Sequence, residues 1–201
     1  MIDGQKMPEG ARFEKVNGKW RRAKSPALRK QQGLQGPIDD AFMDSFVVVN
    51  PPDTFAREWA KWMRGDLRTK QAEGVTSQDI AGHNLVLFGD ASSNSIIAKI
   101  NSKLPIRWSG SDIVVGDQRF PAADHTLALI YPNPLNPSRY AVLNSGHTFG
   151  EKEFRGTNAL LFPLLGDWSV IRKADGAVAA AGLFDDKWQL DTTRHDRRSH
   201  P

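Results

Sequence analysis

An open, mostly parallel α/β sheet of about five strands, flanked by helices in three layers, is the architecture this chain predicts. The first observation behind it is a set of four apolar β-type runs, each stopping on a small or amide polar residue near Gly or Pro. They are Phe46–Val49 into Asn50-Pro51-Pro52, Leu85–Phe88 into Gly89-Asp90, Leu127–Tyr131 into Pro132-Asn133-Pro134, and Tyr140–Leu143 into Asn144-Ser145-Gly146-His147. The second is helical periodicity after the first two runs. Near-continuous apolar runs suit strands buried on both faces, as in parallel sheets covered by helices. Doubly wound sheets of the Rossmann or flavodoxin kind have this form, and their ligands bind outside the carboxyl ends of the strands.

Residues 11–24 read as a β-hairpin, because Phe13–Val16 and Lys19–Arg22 flank Asn17-Gly18, a pair that tolerates positive φ at both positions. Residues 25–38 hold Pro26, Gly33, Gly36 and Pro37 and read as a linker. After the first buried run, Phe55, Trp59, Trp62 and Met63 share one helical face that ends near Gly65, with Asp53 or Thr54 as the expected cap. Ser77 is expected to cap a short turn before the second run. Ile96, Ile97, Ile100 and Leu104 stripe a second helix after it. Residues 106–120 read as an inserted β-meander with turns at Ser109–Asp112 and Gly116-Asp117. The link from Asn133 to Arg139 is too short for a helix, so the strands it joins are antiparallel neighbours or flank a bend. A helix over 151–166 broken at Pro163 and a closing strand at Trp168–Ile171 complete the reading. The expected division is 1–38 for hairpin and linker, 39–181 for the α/β domain, and 182–201 for a disordered tail.

Composition narrows the function classes. Hydrophobic residues make up 39 % and charged residues 25 % of the 201-residue chain, an ordinary soluble balance. No run approaches the roughly 18 to 20 apolar residues of a bilayer span, so no membrane partner is expected. The amino terminus shows no basic-then-apolar leader. With no cysteine, thiolate metal sites and cysteine nucleophiles are excluded. Residues 1–40 carry nine Lys and Arg against five Asp and Glu, so the whole net charge of +4 sits there. With Trp20 as the one aromatic between Lys15 and Lys30, a solvated basic arm is favoured over a nucleic-acid surface, which stands as a second alternative.

The polar residues after the runs are the candidate site: Asn50, Gly89, Asp90, Ser92, Ser93, Asn94, Asn133, Asn144, Ser145 and His147. Parallel strands would gather them at one edge around a crevice suited to a small anionic or polyol ligand. The competing reading is that they only end strands and cap helices, with Ser93 or Asn94 as cap and a turn at Asp90. No dinucleotide fingerprint, phosphate loop, Gly-x-Ser-x-Gly elbow or metal-ligand spacing occurs, and no cofactor is expected. A stand-alone hydrolase using Asp90, Ser93 and His147 is the enzymatic alternative. Asp124-His125 precedes a strand and is expected at the opposite edge if that strand is parallel.

Gly33–Phe46, Asn84–Asp90, Ile130–Pro137 and Leu143–Phe149, in that order, resemble the carboxy-terminal region of large α/β-hydrolase proteins of the prolyl-oligopeptidase or esterase kind, of the type common in planctomycetes. The resemblance covers roughly residues 1–172. It implies a preceding β-rich segment, ending near Ile2–Lys6, and an upstream hydrolase domain carrying the elbow, acid and histidine. It implies an extracytoplasmic location if the parent bears a signal peptide. It transfers no catalytic residue, because no position here matches the elbow, and the stretch after Leu190 departs from the pattern. The function expected is a non-catalytic accessory domain whose partner is that hydrolase domain.

Overall fold

The computed structural model describes residues 13–22, 28–144 and 165–190. The elements in chain order begin with β1 (Phe13–Val16), β2 (Lys19–Arg22), β3 (Phe46–Val49), α1 (Asp53–Met63), β4 (Thr69–Lys70), α2 (Ser77–Gly82), β5 (Asn84–Leu87) and α3 (Ser95–Ile100). There follow β6 (Arg107–Trp108), β7 (Asp112–Val115), β8 (Gln118–Pro121), β9 (His125–Asn133), β10 (Asn136–Leu143), β11 (Trp168–Arg172) and β12 (Val178–Gly182). β1 and β2 form the expected hairpin, with Asn17 and Gly18 both at positive φ. β6, β7 and β8 form the expected antiparallel meander.

Among the described residues the main sheet has seven strands in the order β12-β11-β9-β10-β5-β3-β4. β4, β3, β5 and β10 pair in parallel, whereas β9, β11 and β12 add antiparallel pairs. The helix-flanked, three-layer doubly wound fold is therefore not what forms. Among the described residues strand outnumbers helix, 37 % to 23 %. Among the described residues the α-helices are short and confined to 53–100, while the second half of the chain is spent on hairpins. The turn between β9 and β10 leaves no room for a crossover, so β9 runs against its neighbour.

Register explains why the apolar runs are continuous. Val49, Leu87, Leu143 and Leu129 face one another across four strands, and Val48, Val86, Val142 and Ile130 form the adjacent row. Successive rows point to opposite faces, and every one of these side chains is fully buried. Both faces are covered, so alternation is lost in parallel and antiparallel strands alike.

α1 packs Phe55 on Phe88 and Trp59 on Phe42 and Phe46, whereas Met63 is exposed. Its cap position is Pro52, not Asp53 or Thr54, and Arg64 in the left-handed region stops it. α2 opens on Thr76, one residue before the expected Ser77, through a reciprocal capping box with Asp79. Asn94 caps α3, as the competing reading of the site has it. Leu34 and Ile38 enter the core from the segment read as linker, and Phe184 and Trp188 enter it from the segment read as tail. The helix expected over 151–166 lies almost wholly outside the described residues.

Candidate functional site

The carboxyl ends of β3, β5 and β10 bring Asn50, Gly89–Asn94 and Asn144 to one edge, as parallel pairing requires. Their polar atoms are taken up locally. Asn50, at φ 52°, accepts from the Ala72 N–H at 2.9 Å and donates to the Ser93 carbonyl at 3.2 Å. Asn144, at φ 47°, accepts from the Gly89 N–H and donates to the Gly89 carbonyl, both at 3.0 Å, and reaches the Leu127 carbonyl as well. Its amide thus extends the sheet by one rung, side chain replacing backbone. Buried Asn94 donates to the Phe88 carbonyl and accepts from the N–H groups of Ile96 and Ile97.

One Asp90 carboxylate oxygen accepts from the Ser92 N–H and hydroxyl, at 2.8 and 2.6 Å, and from the Ser93 N–H and hydroxyl, both at 3.0 Å. The Ser92 hydroxyl leads in holding this carboxyl below its ordinary range; partial burial opposes it and the other bonds assist. A carboxylate so stabilised is a poor proton acceptor for Ser93. Gly89 has φ 104°, and a β-carbon there would lie 2.5 Å from the Ser93 hydroxyl, so the loop closes only around glycine. Ser145 and His147 lie outside the described residues.

Asn133 does not join this edge. β9 runs antiparallel to β10, so its carboxyl end lies at the opposite side of the sheet. There Asn133 is fully buried, accepting from the Leu135 N–H. The crevice expected from parallel strands is therefore broken by the reversal of one strand. The same reversal carries His125 to the side where Asn144 sits, contrary to expectation; its ring bonds the Pro121 carbonyl at 3.1 Å.

The amino edge of the parallel strands holds groups that the sequence reading passed over. Lys30, assigned to a solvated arm, bonds the fully buried Asp167 at 2.5 Å and lies 5.0 Å over the Trp188 ring. Asp167 also accepts from the Phe184 N–H, while its other oxygen has no partner. Gly36, at φ 70°, passes so close that a β-carbon would lie 2.1 Å from that oxygen. The Tyr140 hydroxyl accepts from the Gly36 N–H and donates to Asp40 at 2.6 Å. Burial first, then Asp40, pushes its pKa far up. Both Asp39 oxygens are buried without a partner, and burial raises that carboxyl to about 6. Asn84 ties the Ala41 carbonyl to the Tyr140 N–H.

Nearby, the Ser45 hydroxyl and His83 Nδ1 lie 2.8 Å apart, with the Arg68 guanidinium 3.3 Å from the hydroxyl. No motif announces this group, because its members are 15 to 38 positions apart. Their common signal is position: each directly precedes a parallel strand.

Among the described residues no group of His, Cys, Asp and Glu is placed to hold a metal ion, and no helix is long and apolar enough to cross a membrane. The chain matches no protein-family model, no curated protein and no solved structure.

Proposed function

We propose that this chain is a non-catalytic accessory domain of a hydrolase-type protein, of the serine peptidase or esterase kind, that packs on or gates an upstream hydrolase domain. The carrying observation is the state of the Asp90 loop. Asp90 and Ser93 are bonded to each other, and the carboxylate is stabilised in its charged form, which is the reverse of what a general base needs. The lack of any Gly-x-Ser-x-Gly elbow and the resemblance at Gly33–Phe46, Asn84–Asp90, Ile130–Pro137 and Leu143–Phe149 support the same reading. The partner is a hydrolase domain in the same chain or encoded beside it.

Incubation of the purified chain with aryl esters and proline-containing peptides tests this. No turnover above buffer is expected. Turnover abolished by Ser93→Ala or His147→Ala would overturn the reading in favour of a self-sufficient enzyme.

A further inference from the structure

Ser45, His83 and Arg68 stand immediately before β3, β5 and β4, three strands adjacent in the sheet. The register Phe46↔Asn84, with the Asn84 N–H donating to the Ser45 carbonyl, sets Ser45 beside His83. Arg68 is anchored through its own carbonyl, which accepts from the Val48 N–H at 2.9 Å. The three side chains are thus presented by paired backbone.

The group has more donors than acceptors. Arg68 Nη1 lies 3.2 Å from His83 Nδ1, 3.3 Å from Nε2 and 3.3 Å from the Ser45 hydroxyl. A guanidinium only donates, so whichever ring nitrogen it bonds is an acceptor. The Nε and Nη2 donors of the guanidinium have no acceptor among the described residues. Arg68 has no carboxylate partner there either; Asp44, next to Ser45 in the chain, is turned to Arg139 and to the Ser45 N–H. Around the group stand Arg68 and Arg139 as cations, Asp44 as an anion, and the imidazole.

We propose that Ser45, Arg68 and His83 form a binding site for a small oxyanion, a carboxylate or phosphate group. The guanidinium fork matches either group geometrically, and a charge-assisted bond to it is about twice as strong as a neutral one. The site lies at the edge opposite the Asp90 loop and does not depend on the accessory reading.

Titration of the isotope-labelled full chain with inorganic phosphate or acetate, against sodium chloride of equal ionic strength, tests the proposal by NMR. Saturable displacement of the Ser45 amide and His83 ring resonances is expected from at least one oxyanion and not from chloride. The anion that binds more tightly identifies the group preferred. Arg68→Gln should weaken binding about tenfold, Asp44→Asn should strengthen it by about twofold, and Ser93→Ala should leave it unchanged. Should Arg68→Gln fail to fold, Arg68→Lys, which keeps the charge and loses the fork, should weaken binding about threefold. Displacement equal in chloride, or an affinity indifferent to both Arg68 variants, overturns the site.

Discussion

The two edges of the parallel half of the sheet close their strand ends by different means. At the carboxyl edge, amide side chains do the work: Asn50, Asn94 and Asn144 bond loop backbone, and two of them occupy the left-handed region that Asn tolerates. At the amino edge, charged groups are carried inward: Asp167 is sealed beneath Lys30 and Trp188, and the carboxylate oxygens of half-buried Asp39 have no partner among the described residues. Neutral amides close an edge at little electrostatic cost, whereas buried carboxylates make the fold depend on their counter-ions and on pH. The edge where doubly wound sheets place their ligands is here the internally satisfied one. The other edge keeps donors to spare at Arg68.

The largest expected effect breaks the charged edge. Lys30→Met leaves the Asp167 carboxylate buried with only the Phe184 N–H on one oxygen. It should cost about 3 kcal/mol in urea unfolding at neutral pH. A loss below about 1 kcal/mol would show that Lys30 belongs to a solvated arm after all.

A smaller loss is expected at the amide edge. Asn144→Ala removes the rung to Gly89 and the bond to the Leu127 carbonyl, and puts alanine at φ 47°. About 2 kcal/mol should be lost, independent of salt between 0.05 and about 0.5 M, because no net charge is involved. A salt-dependent loss in thermal unfolding would erase the contrast between the edges.

The smallest effect has the opposite sign. The folded state holds the Asp39 carboxyl at about 6, against an ordinary value of 3.8. Between these values the native protein binds more protons than the unfolded chain, so stability falls as pH rises from about 4 to about 6 and stays reduced above. Asp39→Asn should therefore be more stable than the parent by about 1 kcal/mol at pH 8, after allowance for partial solvent exposure, and equal to it below pH 4. Unfolding curves at both pH values check this; equal stabilities at pH 8 would place Asp39 in contact with solvent.

Much of the fold was legible locally. The four apolar runs are strands, Asn17-Gly18 turns a hairpin, residues 106–120 form a meander and Asn94 caps α3. β4 escaped notice because Thr69-Lys70 is two residues of polar edge, and β12 because Val178–Gly182 is mostly alanine and half exposed. The short link Asn133–Arg139 allowed β9 and β10 to be antiparallel neighbours, as they are, but the crevice was wrongly drawn as if all four runs were parallel. Leu127–Ile130 is as buried as any parallel strand, since it lies between β10 and β11 with both faces covered. With that error went the single crevice, and Asn133 moved to the far edge.

By itself the sequence determined which segments are strands and where they stop, because apolar continuity and the tolerance of Asn and Gly for left-handed backbone act within a few residues. Only the tertiary structure decided strand direction, strand order and which strand starts meet. Backbone hydrogen bonds between strands are indifferent to the side chains they carry, so an apolar run reports that its faces are covered without saying which neighbour covers them or which way it runs. For the same reason Ser45, Arg68 and His83 are three unremarkable residues along the chain and one cluster in the folded sheet.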